Sequence, residues 1–494
     1  MSIKAALSLP YARWVTARVM RRTGDPIGAQ GRVLRMLTGA ARNTAFGRDH
    51  RLDAVDDHVA LTQAVPLRDY EALRPYLDRV ITGERDVLWP GQPIYLCKTS
   101  GTTSGAKYIP ITKQSMPNHI HGARNALLAY IAGTGRTAFV DGKMIFLQGS
   151  PVLDRKGAIP SGRLSGIVAN HVPAYLQRNR MPSLATNTIP DWETKVEAIV
   201  TETMTEDMRL ISGIPAWTQM YFERLLARTG KRNVKEVFPG FSLFVYGGVN
   251  YAPYRDHMRT LIGGEVDSIE LFPASEGFIA WQDRQDGEGL LLNTDSGIYY
   301  EFIPQEPGSE AGRRVSLAEV RIGVNYALVL HTNAGLWGYE IGDTVRFVSL
   351  DPPRIVVTGR TKHFTSAFGE HVIAEEVESA LREAMSAMPC EVSEFTVAPQ
   401  PVPPDGGLPY HEWFIEFAAP PGDLSRFAVL LDEAMTRRNV YYKDLITGRV
   451  LRPLVITAVA RGGFTRWMKA RGMNDAQSKV PRLANDRKYV EGLV

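Results

Sequence analysis

Nine consecutive residues carry the densest chemistry in the chain: Thr99-Ser100-Gly101-Thr102-Thr103-Ser104-Gly105-Ala106-Lys107. The apolar run Ile94-Tyr95-Leu96-Cys97 precedes them and Tyr108-Ile109-Pro110-Ile111 follows. Hydroxyls and backbone N–H groups on a glycine-permitted loop between two strands, closed by one ammonium, make a cradle for phosphate oxygens. The residue order excludes a Walker A loop, because Ala106 separates Gly105 from Lys107 and Tyr108 comes next. No G-x-G-x-x-G occurs, which weakens a dinucleotide reading. A plain Ser/Thr/Gly hairpin is the competing reading. Five hydroxyl residues, two glycines and a terminal lysine directly after an apolar run weigh against it.

Three further segments follow in chain order. In Tyr246-Gly247-Gly248-Val249-Asn250, paired glycines after a strand let a flat ring approach the backbone. Leu271-Phe272-Pro273-Ala274-Ser275-Glu276-Gly277 offers an aromatic face, a hydroxyl and a carboxylate. A carboxylate beside a triphosphate is chiefly useful as a Mg²⁺ ligand, since hard oxygen donors suit that ion. Tyr339-Glu340-Ile341-Gly342-Asp343 reads as a strand delivering an Asp able to accept two hydrogen bonds from a ribose diol. Singly, each segment is generic, and a strand-ending turn explains the glycine pair equally well.

The elements that must position these residues are legible in outline. Val33, Leu34, Leu37 and Ala41 recur at helical spacing, and residues 1 to about 90 read as a helical opening layer. From about 94, short apolar runs such as Met144–Leu147, Leu243–Tyr246 and Leu328–His331 alternate with amphipathic stretches, the mark of an α/β domain. After Arg354 to Arg360 the texture changes again. A helix over 374–385, strands over 394–398 and 413–417 and a helix over 424–437 predict a compact α+β unit. The expected division is 1–357 and 358–494.

The chain has 494 residues, with 57 Lys plus Arg against 53 Asp plus Glu and a net charge of +4. An apolar content of 44% excludes disordered and collagen-like classes and fits two to four domains. So small a charge gives no reason to expect nucleic acid or an anionic membrane as partner. Cys97 and Cys390 have neither a disulfide framework nor zinc spacing. The stretch from Ala5 to Ala12 is interrupted by Ser8 and Pro10 and soon meets Arg13, Arg18, Arg21 and Arg22, so no signal peptide is expected. A soluble, cytoplasmic, monomeric protein is the expectation. The scattered histidines, among them His119, His121 and His411, predict packing roles.

Taken together, the ordered segments resemble the adenylate-forming superfamily of acyl-CoA synthetases, adenylation domains and luciferases. They are most similar to the auxin-responsive acyl acid amido synthetases, the Gretchen Hagen three family. The stretches carrying this resemblance are Val65 to Tyr70, Thr99 to Pro110, Asn333 to Asp343, Arg461-Gly462-Gly463-Phe464 and Gln477-Ser478-Lys479-Val480-Pro481-Arg482. The resemblance implies a large N-terminal adenylate-forming α/β domain with mixed sheets, plus a smaller mobile α+β C-terminal domain. It implies that Ser100, Gly101, Thr102, Thr103 and Lys107 hold the ATP phosphates, that Ser275 touches the α-phosphate and that Glu276 binds Mg²⁺. Gly248 and Phe272 would flank adenine, Asp343 would hold the ribose and Arg360 would sit at the hinge. Lys479, and with it Arg482, would approach the phosphates from the mobile domain. His371, where the family pattern has Lys, and Pro273 inside the Ser-Glu motif are departures. The implied activity uses ATP and Mg²⁺ to adenylate a small carboxylic acid and passes the acyl group to an amino acid. An acyl-CoA ligase and a catalytically silent adenylate-binding protein are the alternatives.

Overall fold

Helices open the chain because its first residues combine apolar spacing with strong caps. In the computed structural model, helices Ile3–Thr23, Pro26–Ala41 and Tyr70–Ile81 precede the first strand. The Asp25 and Asp69 side chains accept from the Gly28 and Ala72 N–H groups, and Pro26 fills the first helical position. Val33, Leu34, Leu37 and Ala41 are the buried face, as their spacing predicts. The structure describes every residue except 1–2, 100–105, 148, 172–177, 190–191, 250, 252–253, 307–309, 311, 361–363, 366, 371, 471–479, 485, 488–489 and 494. At 192, 193, 360, 364, 365 and 375 it describes the backbone alone. Among the described residues no helix is long and apolar enough to cross a membrane.

Strands then succeed one another to residue 360. They are β1 (Tyr95–Thr99), β2 (Lys107–Ile111), β3 (Lys143–Phe146), β4 (Asp154–Lys156), β5 (Ile159–Gly162), β6 (Arg180–Met181), β7 (Met208–Ser212) and β8 (Leu243–Gly247). After these come β9 (Asp267–Ala274), β10 (Gly277–Trp281), β11 (Leu290–Leu292), β12 (Ile298–Pro304), β13 (Asn325–Thr332), β14 (Tyr339–Leu350) and β15 (Pro353–Arg360). A small sheet has the order β2-β1-β5-β4. The large sheet has the order β12-β13-β14-β15-β11-β10-β9-β8-β7-β3-β6. One half is parallel, through β6, β3, β7, β8 and β9. There crossover helices such as Pro215–Thr229 and Arg255–Ile262 connect the strands. The other half is antiparallel, and the hand-over falls at β9, parallel to β8 and antiparallel to β10. Ligands of open α/β sheets collect outside the carboxyl ends of the parallel strands, and β8 and β9 end at Gly247 and Ala274.

Beyond β15 the chain forms helix Ala374–Ala387, β16 (Glu391–Gln400), β17 (Tyr410–Ala419), helices Leu424–Arg438 and Val440–Thr447, and β18 (Val455–Val459). These three strands make a sheet in chain order. All four elements predicted here are present and slightly longer; the two strands gain length because the backbone ladder from Glu391 to Gln400 opposite Tyr410 to Ala419 outruns the apolar runs. The expected division at 357/358 falls within the last residues of β15. One apolar cluster joins Phe244, Tyr246 and Tyr254 to Phe368, Phe395 and Trp413, and the Tyr254 hydroxyl donates to the Ala367 carbonyl at 2.6 Å.

Candidate functional site

The predicted phosphate loop is anchored at both ends. Thr99 lies opposite Lys107 across the β1–β2 pair, so the two residues that flank the predicted loop are held in register. Lys107 Nζ lies 5.9 Å from the centroid of the Tyr70 ring, and the Tyr108 N–H donates to the Tyr70 hydroxyl at 2.9 Å. Burial raises the Tyr70 hydroxyl above its usual range, partly offset by that N–H. Ser100, Gly101, Thr102, Thr103, His371 and Lys479 lie outside the described residues, as does the Arg360 side chain.

Ser275 and Glu276 form the two-residue turn of the β9–β10 hairpin, since Ala274 pairs with Gly277. The buried Cys97 thiol donates to Ser275 Oγ at 3.1 Å, tying this turn to the strand that enters the phosphate loop. Burial pushes that thiol up to about 12, so it stays a neutral donor. A Cβ at Gly277 would stand 2.5 Å from Ile298 Cδ1, so a larger residue there would push the end of the Ile298 side chain aside.

Asp343 sits on β14, where its place depends on two motifs that are far apart in sequence. The Arg68 N–H donates to the Gly338 carbonyl at 2.7 Å, and the Glu340 N–H to the Arg68 carbonyl at 2.8 Å. Val65–Tyr70 is thereby laced to the segment that leads into Asp343. Gly338 has φ 57°, and a Cβ there would stand 2.4 Å from the Pro66 carbonyl oxygen. Trp337 is fully buried, donates to the Leu88 carbonyl at 3.1 Å and stacks on Phe46. His331 Nδ1 accepts from the Gly338 N–H at 3.2 Å, which leaves Nε2 to donate to Glu301 at 2.8 Å. Burial works to raise the Glu301 carboxyl, but His331, Arg314 and His58 outweigh it and hold the group low.

One cavity of about 910 Å³ gathers Lys107, Gly248, Phe272, Ser275, Glu276 and Asp343. The two glycines at the end of β8 serve different needs. A Cβ at Gly247 would meet the Leu271 carbonyl oxygen at 2.4 Å, whereas Gly248, at φ 82°, faces open space. Phe272 reaches the cavity but is only 8% exposed, because it packs within the main apolar core. Its expected stacking face is therefore mostly covered. Arg482 is engaged by Glu378 and Glu394, so its charge is spent within the C-terminal region and not on the cavity wall. His411 is buried and bonded to Glu370 at 2.8 Å, in keeping with a packing role.

The sequence reading missed Glu270, Tyr246 and Arg487 as cavity residues. Glu270 pairs with Tyr246 across β8 and β9, and the Tyr246 hydroxyl donates to its carboxylate at 3.5 Å. Burial raises the Glu270 pKa, offset by that hydroxyl and by the charge of Arg255. Its position two residues before Phe272, on the same strand face, was the available signal. Arg487, paired with Glu412 at 2.8 Å, belongs to a cation-rich C-terminal stretch that reads equally as a solvated face, and only tertiary packing brings it to the cavity.

The sequence matches the GH3 family N-terminal domain over residues 16–188, the GH3 family central domain over 291–360 and the GH3 family C-terminal domain over 375–488. It is 21% identical to indole-3-acetic acid-amido synthetase GH3.4 of Arabidopsis thaliana over 94% of this chain and 90% of that protein. It is 28% identical to indole-3-acetic acid-amido synthetase GH3.3 of the same plant over 38% of this chain, a match spanning only 33% of that relative's length. The fold is similar to that of a solved GH3.15 acyl acid amido synthetase in complex with 2,4-DB, with a TM-score of 0.62 at 17% identity, covering 98% of this chain and 95% of that one. The three matched regions together take in well over half of the residues, and the chain belongs to the GH3 family.

Proposed function

We propose that this protein is an acyl acid amido synthetase: it adenylates a small carboxylic acid with ATP, releasing pyrophosphate, and transfers the acyl group to the amine of an amino acid, releasing AMP. The observation that carries this reading is one cavity lined by Lys107 from the start of β2, Ser275 and Glu276 from the β9–β10 turn and Asp343 from within β14. The family membership and the amido synthetase names of the relatives support it.

A carboxylate is a poor acyl donor because its oxyanion does not leave at neutral pH. Attack of its oxygen on the ATP α-phosphorus forms a mixed anhydride and expels pyrophosphate. The amine then attacks the acyl carbon, AMP leaves with the bonding electron pair, and the amine loses a proton. No covalent enzyme nucleophile is needed. The protein's contribution is charge placed where charge develops. Lys107 and the loop that it closes would neutralise phosphate oxygens, Ser275 would hold the α-phosphate, and Asp343 would accept from the ribose hydroxyls. Gly248 and Phe272 would bound the adenine, with Arg360 at the hinge and Lys479 brought to the phosphates by the C-terminal domain.

The donor set fits Mg²⁺ bound chiefly through substrate. Among the described residues no group of three or more His, Cys, Asp or Glu could hold a metal ion. Glu276, a hard carboxylate on the cavity wall, would be the protein ligand, the remaining positions going to phosphate oxygens and water. When bound, the ion would supply charge neutralisation at the phosphates.

The test is a panel of small carboxylic acids scored by pyrophosphate release, then a panel of amino acids scored by amide product. Amide formation at the rate of adenylate consumption is the expected result. Release that yields a thioester with CoA and no amide, or no carboxylate-dependent release at all, would overturn the proposal.

A further inference from the structure

The first helix, Ile3–Thr23, is apolar on two opposite faces. Ala5, Ala12, Val15 and Thr23 are buried, and with Leu9, Val19 and Met20 this face packs in a cluster with helix Met116–Thr134. The opposite face presents Ile3, Leu7, Tyr11 and Trp14, spaced by four, four and three residues and thus aligned on one side. They are 81%, 64%, 51% and 58% exposed, and Ile3 is the most exposed large apolar residue of those described. The Tyr11 and Trp14 rings lie 6.2 Å apart, and the Arg18 guanidinium stands 6.0 Å from the Trp14 centroid, so stripe and cation form one ladder.

The surrounding charge is one-sided. This helix carries Lys4, Arg13, Arg18, Arg21 and Arg22 and no acidic residue. The helices beside it, Pro26–Ala41 and Met116–Thr134, add Arg32, Arg35 and Arg124, again without an Asp or Glu. Two carboxylates answer it in part: Asp295 meets Arg22 at 3.6 Å and Asp25, which caps the second helix, meets Arg32 at 3.2 Å. A whole-chain charge of +4 conceals this corner, because most of the acidic residues that balance the chain's cations lie elsewhere.

We propose that this face docks on an anionic lipid bilayer, with the helix lying in the plane of the interface. Aromatic rings with a polar edge, aliphatic side chains and flanking cations are the combination that partitions to the headgroup boundary. Arginines beside the stripe extend to lipid phosphates while their stems stay apolar. The charge argues against a second copy as the occupant, because isologous pairing would face this cationic set with its own image. The helix is fastened to the body along its inner face, so docking brings the folded chain to the surface without unfolding it.

The test is vesicle co-sedimentation of the full chain, with phosphatidylcholine vesicles with and without phosphatidylserine. Binding to the phosphatidylserine vesicles, lost when salt is raised to about 1 M and the Debye length falls to about 3 Å, is expected. The double variant Leu7→Ser/Trp14→Ser should bind at least ~10-fold more weakly. Arg18→Glu/Arg21→Glu should lose the preference for anionic vesicles, with thermal midpoints unchanged in both. Absence of wild-type binding, or binding of either variant to anionic vesicles at the wild-type level, would overturn the proposal. So would a vesicle-free dimer in sedimentation velocity that Leu7→Ser/Trp14→Ser dissociates, since the stripe would then belong to a second copy.

Discussion

Replacing Asp343 tests the ribose assignment directly. The residue is 8% exposed, on a strand held by β13 on one side and β15 on the other, so the backbone should survive loss of the side chain. A hydrogen bond to a charged acceptor contributes about 1.5 to 3 kcal/mol. Two such bonds to one carboxylate are not additive, and a combined loss of about 2 to 4 kcal/mol corresponds to roughly 30- to 700-fold in Kd. Asp343→Ala should show this loss, and Asp343→Asn, which keeps shape and one acceptor but not the charge, a smaller one. Because the ribose is held alike in ground and transition states, kcat at saturating ATP should change little. The assay is calorimetric titration with ATP, 2′-deoxy-ATP and 3′-deoxy-ATP. The wild type should penalise both deoxy analogues, and Asp343→Ala should bind all three alike. Unchanged ATP affinity, or a variant that still distinguishes the analogues, would refute the reasoning.

Other substitutions separate chemistry from scaffold. Glu276→Ala should lower adenylation on the order of 100-fold or more at limiting Mg²⁺ while leaving the thermal midpoint in place; wild-type pyrophosphate release under those conditions removes the metal-ligand role. Lys479→Ala should slow acyl-adenylate formation far more than consumption of a supplied adenylate, read by single-turnover kinetics of each half, and equal slowing would end the two-position scheme. Trp337→Ala empties a fully buried site and leaves the Leu88 carbonyl without its indole donor, so about 3 to 5 kcal/mol of stability should go; denaturant unfolding measures it, and a loss below ~1 kcal/mol contradicts the packing account. Burial and then the charge of Arg163 lower the pKa of Lys195 to about 8. The native chain therefore binds fewer protons than the unfolded one from about pH 8 to the usual lysine range near 10. Stability contributed at this site should rise with pH across that window, so the wild type should gain roughly 1 to 3 kcal/mol relative to Lys195→Met; a pH-independent difference would contradict it.

Local pattern determined much of this protein by itself. The helical opening, the strands around 144, 243 and 328 and the helix–strand series after residue 374 were legible because periodicity and caps act over a few residues. Lys107, Ser275, Glu276 and Asp343, which line the cavity, stood out in the sequence because residue type and chain order already limit what a loop can hold. Only the tertiary structure decided which of them meet. The lacing of Arg68 to Gly338 and Glu340, the thiol bond from Cys97 to Ser275 and the arrival of Arg487 at the cavity join residues far apart along the chain. No local periodicity records such partners. Phe272 shows the converse: its position marks an aromatic at the cavity, but its exposure is set by side chains that the sequence places elsewhere. The exposed stripe on Ile3–Thr23 was hidden for a related reason. A helix apolar on both faces gives a weak amphipathic signal, and only its seat against Met116–Thr134 decides which face is left to the solvent.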